Sequence, residues 1–210
     1  MATSKSTGTC QACKEQLPKA GVTKHLARCS KRETGLEPGL HVVAEGRGAP
    51  EYWLHFGATA KATLRDLDHV LRQTWLECCG HMSAFTIAAE RYSSGGDDRS
   101  MSVKLGQVLQ SGLRFNYEYD FGSTTELTLR VVGDWSCGAG KSAIRLLARN
   151  DPPEVLCSGC GKPATLLCSE CAYTDKGVLC KKCGDTHECG EEMLLPFANS
   201  PRAGVCGYTG

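Results

Sequence analysis

No stretch of this chain approaches the roughly 18 uninterrupted apolar residues that a membrane span requires, and its opening residues, MATSKSTGTC, lack the apolar segment of a secretory leader. These two absences predict a cytoplasmic chain with no membrane partner. An excess of charge of one sign is also missing. With 24 Lys and Arg against 23 Asp and Glu, a chain-wide electrostatic hold on nucleic acid is excluded. No repeat of fixed period runs through the sequence. A phosphate-binding loop is absent too: SCGAGKS, at 136 to 142, has Trp135 where the first glycine belongs, and SAIRLLAR after it reads as a strand, so a hairpin turn is expected. Nucleotide binding is therefore not expected, and no small-molecule substrate is evident. Cysteine, finally, is scarce in one region: residues 36 to 150 hold only Cys78, Cys79 and Cys137.

Elsewhere cysteine is abundant. Of 14 in the chain, ten lie in 10 to 29 and 157 to 189. In a reducing compartment such Cys-x-x-Cys pairs point to metal ions and not to disulfides. Cys10, Cys13, His25 and Cys29 give the spacing C-x2-C-x11-H-x3-C. Two cysteines in a tight turn grip one side of an ion, while a histidine and a cysteine four apart share one helix face and grip the other. Tetrahedral zinc suits that donor set. Only Leu17, Val22 and Leu26 lie between the pairs, too little to form a core unaided, so metal is expected to supply much of the folding free energy.

The second cysteine-rich stretch, CSGCGKPATLLCSECAYTDKGVLCKKCGDTHEC, carries four ligand pairs and hence two ions. Pairs that alternate over so short a segment are expected to interleave. That assigns Cys157, Cys160, Cys180 and Cys183 to one zinc and Cys168, Cys171, His187 and Cys189 to the other. A sequential pairing is the alternative, and Cys206 could replace Cys189, because His187 and Cys189 are separated by one residue. Three Zn2+ ions are expected in all, each fully ligated by protein and therefore structural. Ten thiolates remove ten charges and three divalent ions return six, which moves the formal charge from +1 to −3.

Between these ends the pattern is that of an α+β domain with a mainly antiparallel sheet. GLHVVAEGRGAPEYWLHFG reads as two strands around a glycine-rich turn. In ATLRDLDHVLRQTWLECCGH the apolar residues Leu64, Leu67, Val70, Leu71 and Trp75 recur at helical intervals, Thr63 and Asp66 form a capping pair, and Gly80 marks the end. MSAFTIAAERY, FNYEYDFG, ELTLRVVG and SAIRLLAR supply further strands, and SSGGDDRS is a loop by composition. The proline-bearing segments GLEPGL and RNDPPEVL mark boundaries, giving a finger over 1–34, an α+β domain over 35–150 and a double zinc module over 151–210 that ends in an irregular tail.

Three resemblances attach to these parts. The N-terminal spacing is similar to C2HC fingers, including the ubiquitin-binding fingers of DNA-repair proteins. Those carry an acidic residue near the histidine, where this chain has Thr23, Lys24 and Arg28. The C-terminal spacing resembles the cross-braced B-box finger and, less closely, the MYND finger. TLRDLDHVLRQTWLECCGHMSAF followed by FNYEYDFGSTTELTLRV resembles the plasmid pRiA4b ORF-three-like family, with Leu64, Leu67, His81 and Phe85 matching one motif and Tyr119, Asp120, Phe121 and Gly122 the other. The family's acidic, tryptophan and histidine continuation is replaced here by Ser123 to Glu126. The resemblance implies a fold and assigns no chemistry.

These readings predict a zinc-binding adaptor that contacts nucleic acid or a protein partner through its fingers, without catalytic or cofactor-binding residues. The region around the first finger is locally basic, with Lys5, Lys14, Lys19, Lys24, Arg28, Lys31 and Arg32 against Glu15 and Glu33, which suits phosphate. The alternative is an enzyme with a site near Cys78, His81 and Asp120, although Cys78 and Cys79 also read as core fillers and Asp120 as a turn former. Redox sensing through release of zinc from oxidised thiolates is a third possibility.

Overall fold

The computed structural model describes residues 6–31, 35, 37–137, 142–172 and 174–210. Most of SCGAGKS therefore lies outside the described residues, and so does the hairpin turn expected there. The fold is α+β, dominated by one ten-stranded sheet in which every neighbouring pair but one is antiparallel. Its strands are β1 (Thr7–Cys10), β2 (Gln16–Pro18), β3 (Glu37–Gly46), β4 (Ala49–Thr59), β5 (Ser83–Ile87), β6 (Glu90–Ser93), β7 (Arg99–Ser100), β8 (Arg114–Tyr119), β9 (Thr125–Cys137) and β10 (Ile144–Asn150). Their spatial order is β2-β1-β10-β4-β3-β9-β8-β5-β6-β7. A second sheet of three short strands, β11 (Leu166–Cys168), β12 (Val178–Leu179) and β13 (Leu194–Pro196), has β11 at its centre.

The helices are α1 (Lys19–Arg28), α2 (Leu64–Leu71) and the single turns α3 (Leu105–Val108) and α4 (Lys181–Gly184). At the start of α2 the Thr63 hydroxyl accepts from the Asp66 N–H at 3.2 Å while Asp66 accepts from the Thr63 N–H at 2.7 Å, the reciprocal cap that the sequence predicts. Leu64, Leu67 and Leu71 are fully buried against Val42, Leu54, Phe56, Tyr117 and Leu129 of the sheet. Burial of each such leucine contributes about 1.5–3 kcal/mol. Past Leu71 the helix widens into a π turn, Arg72–Leu76, and the chain leaves it at Glu77, short of Gly80. That widening keeps Trp75 in the core and releases Cys78 to His81 from helical spacing.

Strand β4 explains why EYWLHFGAT shows no polar alternation: Tyr52 to Ala58 are all buried. Tyr52, Leu54, Phe56 and Ala58 face the α2 side. Trp53 faces the other way, onto Val22 and Leu26 of α1. A sheet covered on both faces needs apolar residues at every position. By contrast β8, covered on one face, alternates regularly, with Phe115, Tyr117 and Tyr119 inward.

Several expectations are corrected. The N-terminal finger contributes two strands to the main sheet, since β1 pairs with β10 through Gly8–Asn150, Thr9–Arg149 and Cys10–Ala148. Its apolar residues thus do not stand alone. Of GLEPGL, Glu37 to Leu40 already belong to β3. MSAFTIAAERY is a hairpin, turned at Ala88 and Ala89 with φ of 46° and 70°. Left-handed φ at both turn residues matches the right-handed twist of the flanking strands, a geometry that alanine sequences do not advertise. The tail is irregular as expected and is also docked on the domain: Ser200 and Arg202 are buried, and the Ser200 hydroxyl donates to the Trp75 carbonyl at 2.6 Å. Among the described residues no helix is long and apolar enough to cross a membrane.

Candidate metal centres

In the finger, β1 and the turn after it bring Cys10 and Cys13 together, and α1 presents His25 and Cys29 to them. All four ligand atoms lie within 4.8 Å of one another. The Cys10 and Cys29 sulfurs are 4.0 Å apart, and Cys13 Sγ is 3.3 Å from His25 Nε2. Tetrahedral zinc, with Zn–S of about 2.3 Å and Zn–N of about 2.0–2.1 Å, sets S···S edges of ~3.8 Å and S···N edges of ~3.5 Å. The observed spacings fit. They are far from a disulfide, whose sulfurs stand at about 2.05 Å, and all 14 cysteines are free thiols. The second ring nitrogen of His25, Nδ1, is 3.6 Å from Glu15 Oε2, the outer carboxylate that commonly orients a metal-bound imidazole. The backbone N–H of Glu15 holds the Cys13 thiol down to about 7, which favours the thiolate a metal needs.

The C-terminal module is cross-braced. Cys157, Cys160, Cys180 and Cys183 form one cluster and Cys168, Cys171, His187 and Cys189 the other, again within 4.8 Å in each. Cys160 and Cys180 sulfurs are 3.6 Å apart, and those of Cys171 and Cys189 are 3.7 Å apart. The sequential pairing is therefore not adopted. Backbone N–H groups, that of Cys180 foremost, bring Cys157 down to about 6. Cys183, crowded by the sulfurs of Cys160, Cys157 and Cys180, is pushed up to about 12, and Cys189 reaches about 12 beside Cys171 and Cys168. Four crowded sulfurs cannot all ionise without a cation among them. His187 Nε2 is buried without a hydrogen-bond partner, and an ion held through that atom would satisfy it.

A fourth cluster was not expected. Cys78, Cys79, His81 and Cys206 also place their ligand atoms within 4.8 Å of one another. Cys206, weighed as a stand-in for Cys189, thus lies in a different part of the molecule. Cys79 is exposed and no core filler, while Cys78 is half-buried and packs against the edge of the core. Burial raises the Cys78 thiol, but the hydrogen bond and charge of Arg202 outweigh it and bring the group below its ordinary value. Asp120 does shape a turn, with φ of 64° and Oδ1 accepting from the Gly122 N–H at 3.0 Å, while its Oδ2 takes an ion pair from Arg202 at 2.7 Å. Sequence spacing could not have found this site, because 127 residues separate Cys79 from Cys206. The remaining cysteine, Cys137, is buried and belongs to no cluster among the described residues.

The chain therefore carries Cys/His clusters able to hold metal ions, with donor chemistry that suits zinc. No protein-family model matches the chain, and no curated protein is similar to it. One solved structure, a protein of unknown function from Methanosarcina mazei Go1, is similar to 54% of this chain and 70% of its own, with 18% identity and a TM-score of 0.48.

Proposed function

We propose that this chain is a zinc-stabilised adaptor of the cytoplasm whose N-terminal finger contacts a nucleic-acid strand. In this reading Cys10, Cys13, His25 and Cys29 hold one structural zinc ion, and the two interleaved C-terminal clusters hold two more in a B-box-like module. The α+β domain is the scaffold, a member of the pRiA4b ORF-three-like family. The observation that carries the zinc role is that each of these sites offers four Cys or His donors within 4.8 Å, a closed set with no position left for a reacting ligand.

Nucleic acid is favoured over a protein partner by the finger surface. Lys14, Lys24, Arg28 and Lys31 are exposed. Lys24 and Arg28, one helical turn apart on α1, take part in no ion pair among the described residues. Elsewhere on the finger, a cavity of about 320 Å³ is lined by Leu26, Trp135 and Leu147 together with Lys31. Cationic groups next to an aromatic wall suit a single strand, whose bases stack while its phosphates pair.

The test is binding of a labelled single-stranded oligonucleotide over a salt series. We expect affinity to fall steeply with salt, and Lys24→Ala with Arg28→Ala to weaken it by about tenfold or more while flattening the salt slope by about two charges. Binding that ignores both changes, or a partner that co-purifies after nuclease treatment, would replace nucleic acid with protein in this reading.

A further inference from the structure

We infer that Cys78, Cys79, His81 and Cys206 form a fourth zinc site, which clasps the C-terminal tail onto the α+β domain. This goes beyond the three sites above and does not depend on what the finger binds.

The geometry matches the cages already described. Cys79 Sγ lies 3.8 Å from Cys206 Sγ, and Cys206 Sγ lies 3.5 Å from His81 Nε2. These are the S···S and S···N edges of a zinc tetrahedron, ~3.8 and ~3.5 Å. A sulfur pair at 3.8 Å is not a disulfide. Three thiolates and one imidazole form a closed donor set of the structural type.

The surroundings are arranged for a metal thiolate. Arg202, fully buried although it lies in the tail, donates to Cys78 Sγ at 3.4 Å. Tyr119 Oη stands 3.9 Å from the same sulfur. The other Arg202 bonds run to Asp120 at 2.7 Å, Thr125 Oγ1 at 3.0 Å and the Ser123 carbonyl at 3.1 Å, so the cation is fixed in place. Three thiolates around one divalent ion leave a formal charge of −1, and a buried guanidinium against one of them offsets it. A neutral core thiol would need no such partner.

The backbone is committed as well. Cys206 holds a left-handed conformation, φ 53° and ψ 35°, between Gly204 and Gly207, which are both at positive φ. A cysteine is held there only where something rewards the direction of its side chain. On the other side, the π turn delivers Cys78, Cys79 and His81 as one short loop, and Arg72 donates to the His81 carbonyl.

The clasp has a topological consequence. Residues 157–196, the double metal module, leave the domain at β10 and return to it through the tail. Asn199 already ties the tail to the end of β10 by exchanging hydrogen bonds with Asn150 at 2.7 and 3.0 Å. A metal at Cys206 closes the loop a second time and holds the module at both ends. The site is also the most open of the four, since Cys79 and Cys206 are exposed and none of its ligands is buried.

The decisive measurement is native mass spectrometry of the full-length, reduced chain, with zinc counted in the intact protein, in Cys206→Ser and in Cys79→Ser. Four ions are expected in the parent, and one fewer in each variant. As a second readout, cobalt titration of the parent should show one more equivalent with sulfur-to-cobalt charge-transfer absorption than either variant. A mild chelator should remove this ion first. An unchanged ion count in Cys206→Ser, whatever the total, overturns the fourth site. So does a Cys79–Cys206 disulfide in the protein as purified before reduction, seen as a two-hydrogen mass deficit that reductant reverses. Loss of further ions from the parent would instead count against the three-site reading, so the two failures are distinguishable. Because Cys206 is exposed on the tail, the serine variant should retain the main-sheet fold, which circular dichroism checks.

Discussion

The two ends of this molecule use the same donors and rest on different foundations. The finger is joined to the main sheet: β1 pairs with β10, Trp53 fills the space under Val22 and Leu26, and Asp151 accepts from Thr7, Thr9 and Gln16 at 2.9, 2.8 and 2.7 Å. Lys19 adds a bond to the Pro50 carbonyl at 2.7 Å and an ion pair with Glu45 at 3.3 Å. In the C-terminal module the buried apolar cluster consists of Cys157, Cys168 and Leu179, two of them ligands, and its sheet has three strands of two or three residues. Similar Cys/His clusters therefore stand in different surroundings. In the module the apolar cluster is small, so a metal held there would carry most of the folding free energy, whereas in the finger it would complete a core supplied by a neighbour.

The largest effect that can break this contrast comes from losing a ligand at each end. Cys13→Ser and Cys171→Ser each remove a half-buried donor. Zinc sites in such modules supply on the order of 10 kcal/mol. Cys171→Ser should abolish amide protection over 166–196 and leave β3, β4 and β9 untouched. Cys13→Ser should release one ion and fray α1, yet leave protection on β1 and at Trp53, because the strand pairing and the tryptophan contact remain. Loss of protection at β1 equal to that in the module would dissolve the distinction. Hydrogen exchange with mass spectrometry resolves the two segments.

How much of this could be read in advance depended on the range of the interaction that fixes each feature. The capping pair Thr63–Asp66, the alternation in β8 and the twelve ligands of the three expected sites are local patterns, and the structure brings each set together. The interleaved pairing was legible because short alternating pairs leave little else. The seating of the finger was not, since nothing in TGTC announces a partner strand 140 residues away at Ala148 to Asn150. The docking of the irregular tail was not legible for the same reason. Arg202 looks like any surface arginine until Asp120, Thr125 and Cys78 are placed around it. Nor could Cys78, Cys79 and His81 be read as ligands while their fourth donor lay so far along the chain.

A second test sharpens the comparison from beneath the finger. His41 and His55 are buried on neighbouring strands with Nε2 and Nδ1 2.8 Å apart, and His55 meets the Trp53 ring edge-on at 5.5 Å. Burial holds His41 down to about 4; burial, then the proximity of His41, holds His55 down to about 3. In the unfolded chain both titrate near 6.5. Between these values the unfolded state binds protons that the folded state refuses, so stability is fully retained above about pH 6.5 and falls as pH drops toward 4. By pH 5 the loss should be about 2 kcal/mol per histidine. Urea midpoints of the zinc-loaded protein would show it on the sheet and finger, and the His41→Gln, His55→Gln double variant should flatten the slope. A slope unchanged by that substitution would assign the acid response to the metal sites at both ends.

The smallest expected effect isolates the seam without touching a donor. Gly8 lies in β1 opposite Asn150, and a Cβ there would overlap the Trp53 ring and the Arg149 carbonyl oxygen. The strand can approach the sheet this closely only because the position has no side chain. Gly8→Ala should therefore destabilise the docked finger by about 1–3 kcal/mol through overpacking, while zinc content and the protection of 166–196 stay as they were. Tryptophan fluorescence should report a shifted Trp53 and hydrogen exchange a loosened β1. If the alanine is accommodated at no cost, the close approach of β1 to Trp53 contributes little to seating the finger, and the contrast between the two ends rests on the Asp151 and Lys19 bonds alone.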